Sequence, residues 1–165
     1  MYYQSPVGQL SVNISEGVIN EIMFIDKADE IKSNDHGESV SKKDKNTFEK
    51  CRKQLDEYFS GKRIHFDLPF QQLGTPFQKK VWDELVNIPF GKPISYLQLA
   101  RRIGNIKAIR AIGKANGSNR ISIIVPCHRV IGSDGSLTGY AGGLWRKQWL
   151  LEHENKYANG VALLF

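Results

Sequence analysis

The residues best suited to covalent chemistry lie together in the run Pro126-Cys127-His128-Arg129-Val130. A cysteine with a histidine beside it and basic residues around it is in a setting that lowers a thiol pKa. Because the thiolate is the nucleophilic form of cysteine, this setting favours nucleophilic chemistry at Cys127. The alternative is that Cys127 is a small core residue that follows a buried strand. The apolar run Ile121–Val125, directly before the motif, predicts such a strand.

Charge is distributed unevenly along the 165 residues, which carry a net charge of +6. Residues 1–74 hold 10 Lys and Arg against 12 Asp and Glu, whereas residues 75–165 hold 13 against 5. No acidic residue lies between Glu84 and Asp134, although that window holds eight basic residues. A stretch whose charges are all positive favours a nucleic-acid backbone as partner. The alternative is that these basic residues only contribute to the solubility of a protein with a high pI.

The composition argues against several other classes of protein. Hydrophobic residues make up 41% and charged residues 24%, as in a globular domain. The apolar runs are too short to cross a bilayer, and the first residues do not resemble a secretory signal. Two cysteines, Cys51 and Cys127, are too few for a disulfide framework, and the four histidines have no zinc spacing, so no metal is expected. We therefore expect a cytoplasmic protein with reduced thiols and no membrane partner.

Residues 1–70 predict a small α/β domain that is rich in β-structure. Alternating or branched apolar positions predict three strands, at Gln9–Ile14, Val18–Ile25 and Ile64–Leu68. Apolar residues at helical spacing then predict a helix that ends at Ser60-Gly61. The polar run Lys27–Asn46 is predicted to be a loop, and residues 68–74 are predicted to link two domains.

Residues 75–165 predict a mainly helical domain, which makes the whole chain α+β. Two segments, Thr75-Pro76-Phe77-Gln78 and Ser95-Tyr96-Leu97-Gln98, place Gln three residues after Thr or Ser, as in a capping box. The second of these helices ends at Gly104-Asn105, and a further helix over about residues 107–116 follows at once. Two short helices joined by such a turn predict a helix-turn-helix.

The second helix of this motif has the composition of a surface that approaches DNA. Lys107, Arg110 and Lys114 share one of its faces. Its small residues, which would allow a close approach, are Ala111, Gly113 and Ala115.

The cysteine motif, with Asn119 before it and Gly139-Tyr140-Ala141-Gly142-Gly143 after it, resembles the active-site signature of the O6-alkylguanine-DNA alkyltransferases. Other segments similar to that family occur in the family's order: Thr75-Pro76-Phe77-Gln78, Val81-Trp82, Ile88-Pro89-Phe90-Gly91, Ser95-Tyr96, Arg110-Ala111-Ile112-Gly113 and Leu150-Leu151-Glu152-His153-Glu154. The resemblance covers about residues 75–154. Residues 1–74 resemble the family's ribonuclease-H-like N-terminal domain only in size and β-rich character.

The resemblance implies DNA repair by direct reversal of damage. The damaged base is rotated out of the duplex, and an alkyl group moves from O6 of guanine, or O4 of thymine, to Cys127. Because the product is a stable thioether, each molecule acts once. No cofactor is expected, and the implied partner is double-stranded DNA, bound in its minor groove by a monomer.

The resemblance also implies individual roles in the chemistry. His128 removes the Cys127 proton through a bridging water, and Glu154 orients the imidazole. Asn119 ties the turn ahead of the cysteine, and the Tyr96 hydroxyl meets the guanine ring as negative charge develops. Some family members have Ser in place of Ala141, which leaves the preference among alkyl groups open.

Two further sets of residues follow from the resemblance. The expected pocket residues are Tyr96, Pro126, Val130, Tyr140, Ala141 and Gly142. The expected DNA contacts are Lys107, Arg110, Ala111, Gly113, Lys114, Ala115 and Arg129, with Arg110 inserted into the base stack.

Two other functions fit parts of the sequence. A non-catalytic lesion-binding protein of the same fold would lack the acceptor, and the presence of Cys127 argues against it. A helix-turn-helix transcription regulator would not need His128 or Glu154 and would favour a dimer.

Overall fold

A computed structural model describes residues 1–26 and 39–160. The chain divides into two compact units, Met1–Gln72 and Leu73–Phe165. The first combines a sheet with a helix and the second is mainly helical, which confirms the predicted α+β class. None of the helices in these described ranges is both long enough and apolar enough to span a membrane.

The first unit is built on an antiparallel three-stranded sheet in the order β1-β2-β3. Its strands are β1 (Tyr2–Ser5), β2 (Gly8–Ser15) and β3 (Val18–Ile25). Helix α1 (Lys42–Phe59) begins at Ser41, whose side chain accepts a hydrogen bond from the Asp44 backbone N–H. The helix contacts β2 and β3 and buries Cys51, Leu55 and Tyr58. This packing gives the unit its own apolar core.

Two of the three strand predictions in this unit are confirmed, and one is wrong. Residues 64–68 form no strand; instead Ile19 exchanges backbone hydrogen bonds with Pro69 and Gln71. The reason lies in the buried Gln54, whose side-chain amide pairs with both the N–H and the C=O of Asp67 and so replaces a strand partner. Strand β1 was not predicted.

The predicted loop at Lys27–Asn46 is partly wrong. Residues 42–46 already belong to α1, because the Ser41 cap starts the helix earlier than its apolar residues indicate. Residues 27–38 lie outside the described part of the chain.

The described part of the second unit places four helices around the cysteine motif. Its helices are α2 (Pro76–Val86), α3 (Tyr96–Ile103), α4 (Ile109–Gly117) and α5 (Leu144–Asn159). Both predicted capping boxes are confirmed, and Gly104, with φ 81°, ends α3. A 3₁₀ turn over Ile106–Ala108 leads into α4, and α4 packs on α2 and α3. The helix-turn-helix arrangement is therefore present.

In the second unit, a very short parallel ladder joins the segment before α3 to the segment after the cysteine turn. Strand β4 (Ile94–Ser95) pairs with β5 (Val130–Ile131). Tyr96 follows β4 directly, and the 3₁₀ turn Cys127–Arg129 directly precedes β5. The ladder thus brings the start of α3 next to the cysteine motif.

The strand predicted at Ile121–Val125 is wrong. This buried segment folds as successive turns, with Val125 N–H donating to the Ile121 carbonyl, and Ile123 adopts φ 73°. The Asn119 side chain accepts from the Ile121 N–H at 3.0 Å and donates to the Val125 carbonyl at 2.8 Å. These bonds satisfy backbone groups that a strand would pair with a neighbour, so the apolar run stays buried without a sheet.

Candidate active site

His128 and Glu154 form the centre of the site. His128 lies in the 3₁₀ turn before β5 and Glu154 lies on the inward face of α5, and their side chains are 0% and 1% exposed. The His128 Nε2 and Glu154 Oε1 atoms are 2.7 Å apart. The resemblance in the sequence implied this pairing, with His128 as a base and Glu154 as the group that orients it.

Glu154 is held by further donors. The guanidinium of Arg129 donates from Nε to Oε2 at 2.8 Å and from Nη2 to Oε1 at 3.0 Å. The Gly91 backbone N–H donates to Oε2 at 3.1 Å. Although burial acts to raise the pKa of Glu154, the hydrogen bond from His128 and the charge and hydrogen bonds of Arg129 hold that pKa well below its usual range. The carboxylate is therefore ionised and accepts hydrogen bonds only.

This arrangement fixes the state of the imidazole. Burial lowers the pKa of His128 despite the opposing effect of Glu154, so the ring is neutral at neutral pH. Since an ionised Glu154 can only accept, Nε2 must carry the single ring proton. Nδ1 is then the basic nitrogen, and it is buried with no hydrogen-bond partner among the described residues. His128 can therefore take a proton at Nδ1.

The expectation of a lowered Cys127 pKa is wrong. The thiol is only 7% exposed, and burial raises its pKa above the ordinary value of 9.0. A hydrogen bond with the Asn119 side chain, the charge of Lys147 and backbone N–H groups oppose this effect without reversing it. Cys127 is thus a neutral thiol at rest, and a base must remove its proton before it can act as a nucleophile.

Two asparagines position the backbone around the thiol. Asn119, as predicted for the turn, bridges Ile121 and Val125. Asn116, near the end of α4, lies within hydrogen-bond distance (3.4 Å) of the Cys127 carbonyl through its Nδ2. The helix-turn-helix and the cysteine turn are therefore connected directly.

The loop before α5 carries the remaining predicted pocket residues. Tyr140 is half-buried, Gly142 is buried and Ala141 is exposed. Burial raises the pKa of Tyr140 well above its ordinary value. The Gly142 carbonyl accepts from Arg146 Nη1 at 2.8 Å, which fixes the loop to the first turn of α5.

Tyr96 lies across from this loop. It is half-buried, and its hydroxyl is 3.5 Å from the Thr138 carbonyl. Pro126 and Val130, on either side of the cysteine turn, are both buried. The sulfur and the imidazole thus come from the cysteine turn and Tyr96 comes from the start of α3, and the β4–β5 ladder holds these two segments together.

Lys147 is a buried residue of the site that the sequence prediction missed. It is 0% exposed, and its Nζ donates to the Thr138 carbonyl at 2.9 Å. Burial lowers its pKa to about 8. The signal was present in the sequence, since Lys147, Leu150 and Glu154 recur at the spacing of one helix face.

Most of the residues expected to contact DNA are on the surface of the helix-turn-helix. Lys107, Arg110, Ala111 and Lys114 are exposed and Gly113 is half-buried. The expectation for Ala115 is wrong, because it is 2% exposed and its carbonyl accepts from Trp82 Nε1 at 2.9 Å. It packs α4 onto α2, so it cannot contact DNA.

The expectation that Arg129 contacts DNA is also wrong. The residue is 5% exposed, and its guanidinium is occupied by Glu154 and by the Ile88 carbonyl at 2.6 Å. Because the guanidinium is buried and directed at partners inside the protein, it does not lie on the surface that would meet a phosphate.

Comparison with protein families covers nearly the whole chain. Residues 76–156 match the family model described as the DNA-binding domain of 6-O-methylguanine DNA methyltransferase. Residues 1–72 match the model described as the ribonuclease-like domain of the same methyltransferase. The chain belongs to the methylated-DNA–protein-cysteine methyltransferase family.

Relatives of this methyltransferase support the assignment over most of its length. It is 42% identical to the constitutive methylated-DNA–protein-cysteine methyltransferase of Bacillus subtilis, over 84% of each chain. It is 45% identical to the methylated-DNA–protein-cysteine methyltransferase of Methanosarcina mazei, over 93% of this chain and 97% of that protein. Its structure superposes on Mycobacterium tuberculosis OGT in complex with DNA with a TM-score of 0.80, at 40% identity over 95% and 92% of the two chains.

These similarities confirm the resemblance found in the sequence. The methyltransferase repairs DNA by direct reversal of damage, by transferring an alkyl group to a cysteine of its own chain. Its partner is DNA.

Proposed function

We propose that Cys127 is the acceptor of the alkyl group and that His128 is the base that activates it. The observation that carries this proposal is the hydrogen bond between His128 Nε2 and Glu154. It leaves Nδ1 of the neutral imidazole buried, with no hydrogen-bond partner among the described residues. Cys127, the neighbouring residue in the sequence, carries a neutral thiol. A neutral base and a neutral nucleophile suit a reaction in which the proton leaves only when substrate is bound.

The proposed transfer proceeds as a displacement at the alkyl carbon. The Cys127 proton passes to His128 Nδ1 through a water molecule, and the sulfur attacks the carbon attached to guanine O6. A sulfur–carbon bond forms as the carbon–oxygen bond breaks, and the electron pair remains on the guanine ring. The Tyr96 hydroxyl then supplies a proton or a hydrogen bond to that ring. O4 of thymine offers the same kind of leaving group and is a second proposed substrate.

Base flipping is the proposed route to the buried sulfur. A thiol that is 7% exposed cannot reach a base stacked inside a duplex, so the nucleotide must rotate out. The exposed Arg110 on α4 would fill the gap that it leaves, and Lys107 and Lys114 would contact phosphates. The small Ala111 on the same helix suits entry into the minor groove.

The two units receive separate roles in the proposal. Residues 75–165 hold the DNA-binding surface and the alkyl-transfer site, and residues 1–70 form the ribonuclease-H-like domain. The protein acts as a monomer, since one chain supplies the thiol, the base and the DNA-binding helix. Both cysteines are free, which suits the reducing conditions of the cytoplasm.

Transfer of label tests this assignment. A duplex containing O6-methylguanine with a radioactive methyl group is mixed with excess protein, and label bound to protein is counted. We expect stoichiometric transfer to the wild type and to Cys51→Ala, because Cys51 is 0% exposed and burial raises its pKa to about 12. Cys127→Ala should bind the duplex and take no label. Wild-type labelling of Cys127→Ala would contradict the proposal.

A further inference from the structure

All three nitrogen atoms of the buried Arg129 guanidinium donate hydrogen bonds inside the protein. Its Nε and Nη2 atoms donate to the two oxygens of Glu154, and its Nη1 donates to the Ile88 carbonyl. Its guanidinium carbon lies 5.7 Å from the centre of the Phe90 ring. The residue is 5% exposed, so all of these contacts are inside the protein. Such a paired, planar geometry fixes the orientation of a carboxylate, which a lysine cannot do.

The contacts of Glu154 show what this orientation achieves. Oε1 lies within hydrogen-bond distance of His128 Nε2 and Arg129 Nη2, and Oε2 accepts from Arg129 Nε and the Gly91 N–H. Each oxygen therefore has two partners, and rotation of the carboxylate would break all four contacts. The carboxylate is 1% exposed, so water cannot replace them.

We propose that Arg129 is a positioning residue that acts through Glu154: it fixes the carboxylate as an acceptor for His128 Nε2–H, so that Nδ1 is available as the base. This inference rests on the proposed role of His128. A carboxylate alone beside a buried imidazole would favour the protonated ring. The charge of Arg129 acts against that effect.

Other charged groups face the same cluster and are included in this balance. Lys147, on the same helix as Glu154, also acts to lower the pKa of His128. Tyr140, from the loop before α5, has its pKa raised by burial and, to a smaller extent, by the charge of Glu154. Arg129 is distinguished by the two hydrogen bonds that its guanidinium donates to Glu154.

The pH profile of alkyl transfer separates a positioning role from a merely structural one. Single-turnover rates are measured between about pH 5 and pH 9, at a temperature where each variant is folded by circular dichroism. For Arg129→Gln we expect a rate at least about tenfold lower at neutral pH. We also expect the acid limb to move upward by about one pH unit, because the protonated imidazole is no longer opposed by Arg129.

Conservative and control variants sharpen the result. Arg129→Lys should keep the acid limb near its wild-type position, since the charge remains, yet transfer more slowly, since the paired hydrogen bonds are lost. Methylguanidinium should restore part of the activity of Arg129→Ala, and methylammonium should restore less. Arg63→Gln removes an arginine–glutamate pair in the first unit and should change neither rate nor profile.

A measurement on the wild type keeps the proposal testable if the variants do not fold. Nitrogen-15 spectra of the histidine rings should show His128 neutral with its proton on Nε2. A resting proton on Nδ1 would overturn the proposal, and so would a folded Arg129→Gln with an unshifted pH profile. Labelling of Cys127→Ala would instead overturn the proposed function, so the two failures are distinguishable.

Discussion

Replacing Glu154 with Gln changes one oxygen of the buried carboxylate into an NH₂ group and leaves the shape of the side chain almost unchanged. Because each oxygen has two partners, the new donor meets two groups at either position. At the Oε2 position these are Arg129 Nε–H and the Gly91 N–H, which cannot become acceptors. At the Oε1 position one of them is His128, which can become an acceptor by moving its proton to Nδ1. The NH₂ group is therefore favoured at the Oε1 position. In that arrangement the His128 proton lies on Nδ1, the nitrogen that the proposed mechanism needs as the base.

The expected loss of stability follows from the burial of the pair. Glu154 and the Arg129 side chain are 1% and 7% exposed. Removing one partner of such a pair leaves the other charge uncompensated and costs about 3–5 kcal/mol of unfolding free energy. The sign of the pH dependence also follows: the folded pKa of Glu154 lies below its ordinary value of 4.5. The stabilisation of the folded state by ionised Glu154 is therefore present above pH 4.5 and is lost as the pH falls below that value.

The assay combines urea unfolding with single-turnover transfer. Glu154→Gln should lose about 3–5 kcal/mol at neutral pH, lose the acid-sensitive part of its stability, and transfer the alkyl group roughly 100-fold to 10,000-fold more slowly. Glu152→Gln, on the same helix but outside the cluster, should stay within about 0.5 kcal/mol of the wild type. A folded Glu154→Gln with the wild-type transfer rate would refute the role given to this carboxylate.

Three further predictions follow from the geometry of the site. Asn119→Ala should lower the unfolding free energy by roughly 2–4 kcal/mol in urea titrations, because the buried N–H of Ile121 and C=O of Val125 lose their partner; an effect below about 1 kcal/mol would contradict this. Arg110→Ala should slow transfer from duplex DNA by about tenfold or more but leave the reaction with free O6-methylguanine base unchanged, and equal slowing of both would count against base insertion. The stability of the wild type should rise between pH 8 and 10.5, because in this range the unfolded chain binds a proton at Lys147 that the folded protein does not. Lys147→Met should lack this rise, and identical pH dependence of the two proteins would refute the burial of this ammonium.

Local signals in the sequence predicted much of the second unit. Thr75 and Ser95, each with Gln three residues later, start α2 and α3 as capping boxes, and Gly104 ends α3. These features depend on residues within one helical turn, so they can be read from the sequence without knowledge of packing.

The predictions that failed depend on contacts between distant residues. An apolar run such as Ile121–Val125 is compatible with a buried strand or with buried turns, and the Asn119 side chain decides between them. The strand predicted at residues 64–68 is absent for the same reason, since the Gln54 side chain on α1 pairs with the backbone N–H and C=O of Asp67. Neither side-chain bond has a signature in hydrophobic periodicity.

The electrostatics of the site was the least predictable part. The basic neighbours of Cys127 are visible in the sequence, but its burial, which raises the thiol pKa, is not. The sequence predicted that Arg129 contacts DNA, and it did not indicate Lys147 at all. Both residues are buried, and the sequence does not show where a buried charge finds its partners. The family motif predicted which residues form the proposed site, and only the fold shows how their charges are balanced.

The most direct test of this mechanism is the ionisation of Cys127 in the resting protein. In Cys51→Ala, where Cys127 is the single cysteine, the rate of reaction with iodoacetamide is followed as a function of pH. We expect no thiolate step below the ordinary thiol pKa of 9.0, since burial raises the pKa of Cys127. A thiolate already formed below neutral pH would contradict the account, because the sulfur would then need no proton transfer to His128.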